Sequence, residues 1–209
     1  MKFPTPEQVS HIRKTKDMLR TNLKELVGIF GPYEKRMENW YVSGGCIASL
    51  LRGETVNDYD VYFKNKETME HVVALVTTPP MLFNVADVDE KYREVLGKDG
   101  KCITENAVTM SNGLQFITRH YGEDIRDTFD FVHCMPMYDI YIDKLYISEE
   151  QYNCCVHKLL VVNEEKNVTA KRQQKFMDAG YYMQSAPKQP KEIEVVEDDD
   201  LDKLFGKKK

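Results

Sequence analysis

The sequence predicts an α/β (α+β) domain, a sheet packed with helices, with an N-terminal helix before it and a disordered C-terminal tail after it. Three observations lead there. A strand–turn–helix–turn–strand unit runs from Tyr41 to Phe63, YVSGGCIASLLRGETVNDYDVYF. Further segments with helical or period-2 apolar spacing flank it on both sides. From Ser185 onward the chain turns to Pro, Lys, Glu and Asp, a composition too polar to bury a core. The expected divisions are an N-terminal helical arm (1–39), the core (40–163), a basic helix (164–184) and the tail (185–209).

Composition limits the class. A chain of 209 residues, 42% hydrophobic and 30% charged, is one domain or one domain with appendages. A net charge of −5 does not mark a general nucleic-acid binder. No apolar run approaches a membrane span and the N-terminus lacks an apolar signal region, so no membrane contact is expected. The cysteines (Cys46, Cys102, Cys134, Cys154, Cys155) are odd in number and form no paired framework. Reduced thiols follow, and with them a cytoplasmic location, in the host cytoplasm for a viral protein.

Pro4 to Ile29 reads as an amphipathic helix capped by Thr5, with Val9, Ile12, Leu19, Leu23, Leu26 and Val27 near one face. Its basic side chains (Arg13, Lys14, Lys16, Arg20, Lys24) read as a solvated face before a nucleic-acid contact, the other role such a stripe could serve. Gly31-Pro32 ends it. Within the central unit, Ser43-Gly44-Gly45 turns into a short helix over Ile47 to Leu51. Period-2 alternation then puts Asp58 and Asp60 on one strand face, with Tyr59, Val61 and Phe63 on the other. Two carboxylates side by side repel, and a hard divalent cation, Mg²⁺ (or Mn²⁺), relieves that. A Gly-Gly turn at a helix start offers backbone N–H groups to an anion. Phosphate cradle plus metal carboxylates is the minimal equipment for nucleotidyl transfer.

Glu67 to Val76 reads as a helix closed by Pro79-Pro80, and Met81 to Thr104 as an exposed excursion. Ala107–Met110 and Leu114–Thr118 flank Ser111-Asn112-Gly113, a hairpin signal. Gly122 to Thr128 reads as a short helix entering a strand at Phe129-Asp130-Phe131. Leu145 to Ser148 is a strand, and Ser148 opens a helix through Leu159. Thr169 to Ala179 is a helix with Gly180 as its cap.

Ser43-Gly44-Gly45, a spacer and Asp58-Tyr59-Asp60-Val61 resemble, in order and spacing, the signature of the nucleotidyltransferase superfamily. DNA polymerase β, tRNA CCA-adding enzymes and poly(A) polymerases typify it. The resemblance implies a polymerase-β-like core with a mixed sheet and a metal-dependent transfer of a nucleoside monophosphate from an NTP such as ATP to an acceptor hydroxyl, an RNA or tRNA end among them. It further implies Asp58 and Asp60 as metal ligands and Ser43, Gly44 and Gly45 as the triphosphate cradle. Arg119 is a further candidate for the triphosphate, because a guanidinium fork suits phosphate. The segment around Gln115 is similar to one where the family carries a third carboxylate, and a neutral Gln there departs from the pattern. FDFVHCMPMYD is similar to a family nucleotide-pocket element through Asp130, Phe131, Tyr138 and Asp139. Asp130 is therefore either a third catalytic carboxylate or a nucleotide contact. TAKRQQKFMDAGYY is similar to a basic helix following the family's catalytic domain, which adds Arg172 and Lys175 to the nucleotide-binding candidates. The large tRNA-binding regions of CCA-adding enzymes have no counterpart, which suits a phage or mobile-element accessory protein.

A second reading starts from the tail, where Leu201, Leu204 and Phe205 stand as apolar anchors in an acidic run. They look like sliding-clamp-binding peptides. A catalytically lapsed fold docking a protein partner through this tail is the alternative to an enzyme.

Overall fold

The computed structural model describes residues 4–28, 37–78, 103–122, 124–163, 166 and 168–183. The break at Gly31-Pro32, residues 81–102 of the excursion expected from Met81 to Thr104, and the anchors Leu201, Leu204 and Phe205 lie outside the described residues.

The first helix, α1 (Pro6–Gly28), begins where Thr5 and Gln8 cap each other. Gln8 N–H donates to Thr5 Oγ1 at 3.3 Å and Thr5 N–H to Gln8 Oε1 at 2.8 Å. Val9, Ile12, Leu19, Leu23 and Val27 form its buried stripe. Its basic face is partly committed inside the molecule, since Lys16 and Arg20 reach Asp143 at 3.5 and 2.8 Å.

Then follow β1 (Trp40–Ser43), α2 (Gly45–Leu51), β2 (Tyr59–Phe63) and α3 (Lys66–Thr77), the last capped by Asn65. A hairpin, β3 (Ala107–Thr109) and β4 (Leu114–Tyr121), turns at Gly113, whose φ of +92° is the left-handed conformation such a turn requires. The chain continues through β5 (Met137–Asp139), β6 (Lys144–Tyr146), α4 (Glu149–Val156), β7 (Leu159–Leu160), α5 (Ala170–Asp178) and β8 (Tyr182–Met183).

Among the described residues, six strands form one mixed sheet in the order β3-β4-β2-β1-β5-β6. The β2–β4 pairing is parallel and the remaining pairs in this sheet are antiparallel. Strand alternation sorts side chains onto two covered faces. Trp40, Val42, Tyr59, Val61, Phe63, Val108, Leu114 and Phe116 pack with the apolar stripes of α1, α2, α3 and α4. Tyr41, Tyr62 and Met137 face the opposite way, under Phe131, Leu160 and Tyr181, with Phe176 of α5 against them. The mixed sheet and its helices match the predicted fold class.

Three local readings change. Among the described residues between Gly122 and Thr128 the helical element is a 3-10 turn, Arg126–Thr128, where Asp124 takes the Arg126 N–H at 2.9 Å and holds the chain in a tight bend. Phe129-Asp130-Phe131 is not a strand. Phe131 makes a single antiparallel bridge to Val162, and a 3-10 turn, Val132–Cys134, follows at once. The helix begun at Ser148, which carries a full capping box with Gln151, ends at Val156 rather than Leu159. Lys158 adopts a left-handed φ of 52°, which reverses the chain so that Leu160 is buried as part of β7. Among the described residues, no helix is long and apolar enough to cross a membrane.

Candidate functional site

One row of side chains crosses the sheet. Asp60 of β2 is in register with Ser43 of β1 on one side and Gln115 of β4 on the other, and Gln115 in turn with Thr109 of β3. Directly paired residues project to the same face, which here is the face covered by α5. Asp58 is exposed and lies one residue before β2, so of the two carboxylates expected on one strand face only Asp60 is inside the sheet.

Gly44 fixes where the Asp60 carboxylate can sit. Its φ is +91°, and a Cβ added to it would stand 2.9 Å from Asp60 Oδ2. A side chain at this position would therefore be strained and would push the carboxylate away. Gly44 is buried and its N–H donates to the Cys134 carbonyl at 3.0 Å, while Gly45, the first residue of α2, is exposed. Ser43 is fully buried. Its hydroxyl donates to the Pro136 carbonyl at 2.6 Å and lies 3.1 Å from the Cys134 carbonyl. The turn predicted to cradle phosphate thus spends its hydroxyl and one N–H on bracing itself against the 132–136 segment.

Charge is concentrated around Asp60. Burial, and after it the charge of Asp58, push the Asp60 carboxyl up to about 7, and Lys175 and Arg172 of α5 pull it back down. These two cations, three residues apart on α5, are on adjacent turns and face the sheet row. Arg172 Nε donates to Asp130 Oδ2 at 2.7 Å, and its guanidinium lies 4.9 Å from the Phe176 ring centre. Phe176 meets the edge of the buried His133 ring at 4.6 Å between centres, and His133 tilts against Tyr181 at 4.3 Å. Arg52 ends this column, with Nη1 3.0 Å from the Tyr181 hydroxyl. Burial, with Arg52 next, pushes His133 down to about 3, so its ring is neutral. Its Nδ1 has no hydrogen-bond partner among the described residues, and Nε2 lies 3.4 Å from the Cys134 sulfur.

The structure therefore brings Asp58, Asp60, Gly44, Gly45, Arg172 and Lys175 to one place, with Asp130 tied to Arg172. Among the described residues, no group of three or more His, Cys, Asp or Glu side chains stands close enough to hold a metal ion together. Asp130 thus does not complete a three-carboxylate cluster with Asp58 and Asp60. Gln115 occupies the place beside Asp60 on the parallel neighbour, and its Nε2 donates to Thr109 Oγ1 at 2.9 Å. Arg119 is exposed on β4, where its charge helps to lower the neighbouring His120. Sequence reasoning missed the ring column of Phe176, His133 and Tyr181 that seats α5. Its one visible signal was a histidine inside an apolar run.

The family model of Gabija anti-defense 2 proteins matches residues 12–157, from α1 through α4 and short of α5. A solved structure described as a CCA-adding enzyme in apo form is similar at 17% identity and a TM-score of 0.41. The similarity covers 67% of this chain and 33% of that one, so the match spans about a third of the enzyme's length. No curated protein matches the chain.

Proposed function

The chain belongs to the Gabija anti-defense 2 family, and we propose that it serves there as a metal-dependent nucleotidyltransferase, moving a nucleoside monophosphate from an NTP to an acceptor hydroxyl. The family's name supports a setting in which a phage protein counters a host defence. The observation that carries the chemistry is the position of Asp60. It is a carboxylate in the middle of a sheet, pressed against a side-chain-free Gly44, crowded by Asp58 and facing two cations.

Asp58 and Asp60 fit a hard divalent cation. Their donors are oxygens, and burial, with the charge of Asp58 next, disfavours a bare carboxylate at Asp60, a cost that a bound cation would offset. Mg²⁺ (or Mn²⁺) bound there would neutralise triphosphate charge and stabilise the departing pyrophosphate. With two carboxylates from the protein, the remaining ligands would be water and phosphate oxygens, the usual arrangement for Mg²⁺. Arg172 and Lys175 would bind the triphosphate from the α5 side, and the exposed Gly45 backbone from the α2 side. Ser43 shapes the turn through its buried hydroxyl. The acceptor hydroxyl attacks the α-phosphate and pyrophosphate leaves, a reaction governed mainly by positioning and charge.

Calorimetric titration of each NTP, with and without Mg²⁺, tests this reading in the wild type and in Asp58→Ala/Asp60→Ala. Binding that requires metal and is absent from the double variant is the expected result. If no NTP binds the wild type, the enzyme reading falls. A second reading would then stand, in which the fold is a binding module without catalysis. The neutral Gln115 beside Asp60 favours it, and pull-downs with and without residues 198–209 address it.

A further inference from the structure

We infer that Asp130 is a positioning residue that holds Arg172 by its Nε edge, leaving the terminal Nη1 and Nη2 fork of the guanidinium to receive a phosphate group of a nucleoside triphosphate beside Asp60. This deepens the function proposed above and rests on it.

A guanidinium offers five donors in a rigid plane, and which edge is occupied decides which edge remains. In Arg172 the Nε edge is taken by Asp130 Oδ2 at 2.7 Å. The flat face is taken as well, lying 4.9 Å from the Phe176 ring centre. Phe176 is itself seated on Phe131 and His133 at 5.1 and 4.6 Å between ring centres. Contacts at one edge and one face remove most of the rotational freedom of the group. The two terminal nitrogens have no hydrogen bond among the described residues.

The other partner is fixed just as well. The Asp130 carbonyl accepts the Asn163 N–H at 3.0 Å, and the Asn163 side chain donates to the Phe129 carbonyl at 3.0 Å. Asp130 therefore sits on a loop stitched to the segment after β7. At the other end, Thr169 accepts the Arg172 N–H at 3.3 Å and sets where α5 begins. α5 packs through Phe176 on the sheet face that carries Tyr62 and, two residues before it, Asp60, and the charges of Arg172 and Lys175 both act on that carboxyl, so the fork and the ammonium lie on the side of the sheet where Asp60 projects. Side-chain exposures of 41% for Arg172 and 25% for Asp130 leave the pair reachable by a ligand. An exposed ion pair alone does little for stability. A pair that prealigns a bidentate donor reduces the ordering cost of ligand binding.

The test is titration of the four NTPs with Mg²⁺, and of Mn²⁺ alone, into the wild type, Asp130→Asn, Asp130→Glu, Arg172→Lys and Asp130→Asn/Arg172→Lys. Thermal melts accompany each titration. The expected result has several parts. Asp130→Asn weakens NTP binding about tenfold, Asp130→Glu recovers part of the loss, and Arg172→Lys weakens binding at least as much. The double variant is no weaker than Arg172→Lys alone, because Asp130 acts through Arg172. Mn²⁺ binding is unchanged throughout. Unaltered NTP affinity in a folded Asp130→Asn overturns the inference while leaving the proposed function standing. Loss of Mn²⁺ binding in Asp130→Asn also overturns it and makes Asp130 a metal ligand. Failure of the wild type to bind any NTP overturns both readings together.

Discussion

Asp60 carries a charge that its surroundings disfavour. Burial and Asp58 raise its carboxyl to about 7, far above the ordinary 3.8. A carboxyl raised on folding contributes stability that is present below its unfolded value and lost as the pH climbs through its folded value. Between about pH 4 and pH 7 the folded protein thus becomes less stable on this account. At pH 8 without metal, Asp60→Asn should be more stable than the wild type by on the order of 2 kcal/mol, and at pH 4 the difference should vanish. Mg²⁺ should raise the wild-type melting temperature at pH 8 more than at pH 5, and not that of Asp60→Asn. Melting curves at the three pH values check this, and a variant no more stable at pH 8 would show that Asp60 is not strained. Such destabilisation is expected where a residue is kept for binding rather than for the fold.

The element that completes the site is α5, and it is lightly held. None of its residues is fully buried. Among the described residues its attachments include Phe176 on the His133 and Phe131 rings, the Arg172–Asp130 pair, Lys158 on the Ala179 carbonyl, and the short parallel pairing of β8 with β7. Phe176→Ala should loosen α5 without unfolding the sheet. The cost should be below the roughly 3–5 kcal/mol of a fully buried Phe→Ala change, because Phe176 is only half-buried. Hydrogen exchange should show residues 170–178 losing protection while β1, β2 and β4 keep theirs. Equal loss in the sheet would mean that α5 is part of the cooperative core. If α5 carries the phosphate contacts, the same variant should bind NTP more weakly and Mn²⁺ as before.

For the molecule as a whole, the sheet separates a structural face from the face that carries the candidate site. Among the described residues, α1, α2, α3 and α4 seal the first with aliphatic and aromatic side chains. The second mixes an aromatic cluster with the charged row and encloses the neutral His133. A histidine held down to about 3 is not protonated in the folded state while the unfolded chain takes up a proton below about 6.5. Its contribution is therefore present above that value and is lost as the pH falls toward 3, the reverse of Asp60. The His133 ring resonances should stay unchanged from pH 8 to pH 4.5 in the folded protein. A midpoint near 6.5 would show that water reaches the ring.

Local chemistry in the sequence determined the starts of the capped helices, the Asn-Gly hairpin, the Gly44 turn and the placing of Asp60 on its strand, because each depends on backbone freedom or side-chain period over a few residues. Where a neighbour decided the outcome, the local signal was insufficient. Phe129-Asp130-Phe131 has a strand's apolar pattern, but it bends into a 3-10 turn so that Phe131 can sit on Phe176 and meet Val162. The Ser43 hydroxyl, placed by motif at a phosphate, is drawn inward by two buried carbonyls. Gln115 was legible as a missing carboxylate, yet its place beside Asp60 depends on the parallel register of β2 and β4. The Asp130–Arg172 pair joins residues 42 positions apart in the chain. Periodicity says which face of an element is apolar. Which faces meet, and in what register, is set by burying them together, and that was decided only in the tertiary structure.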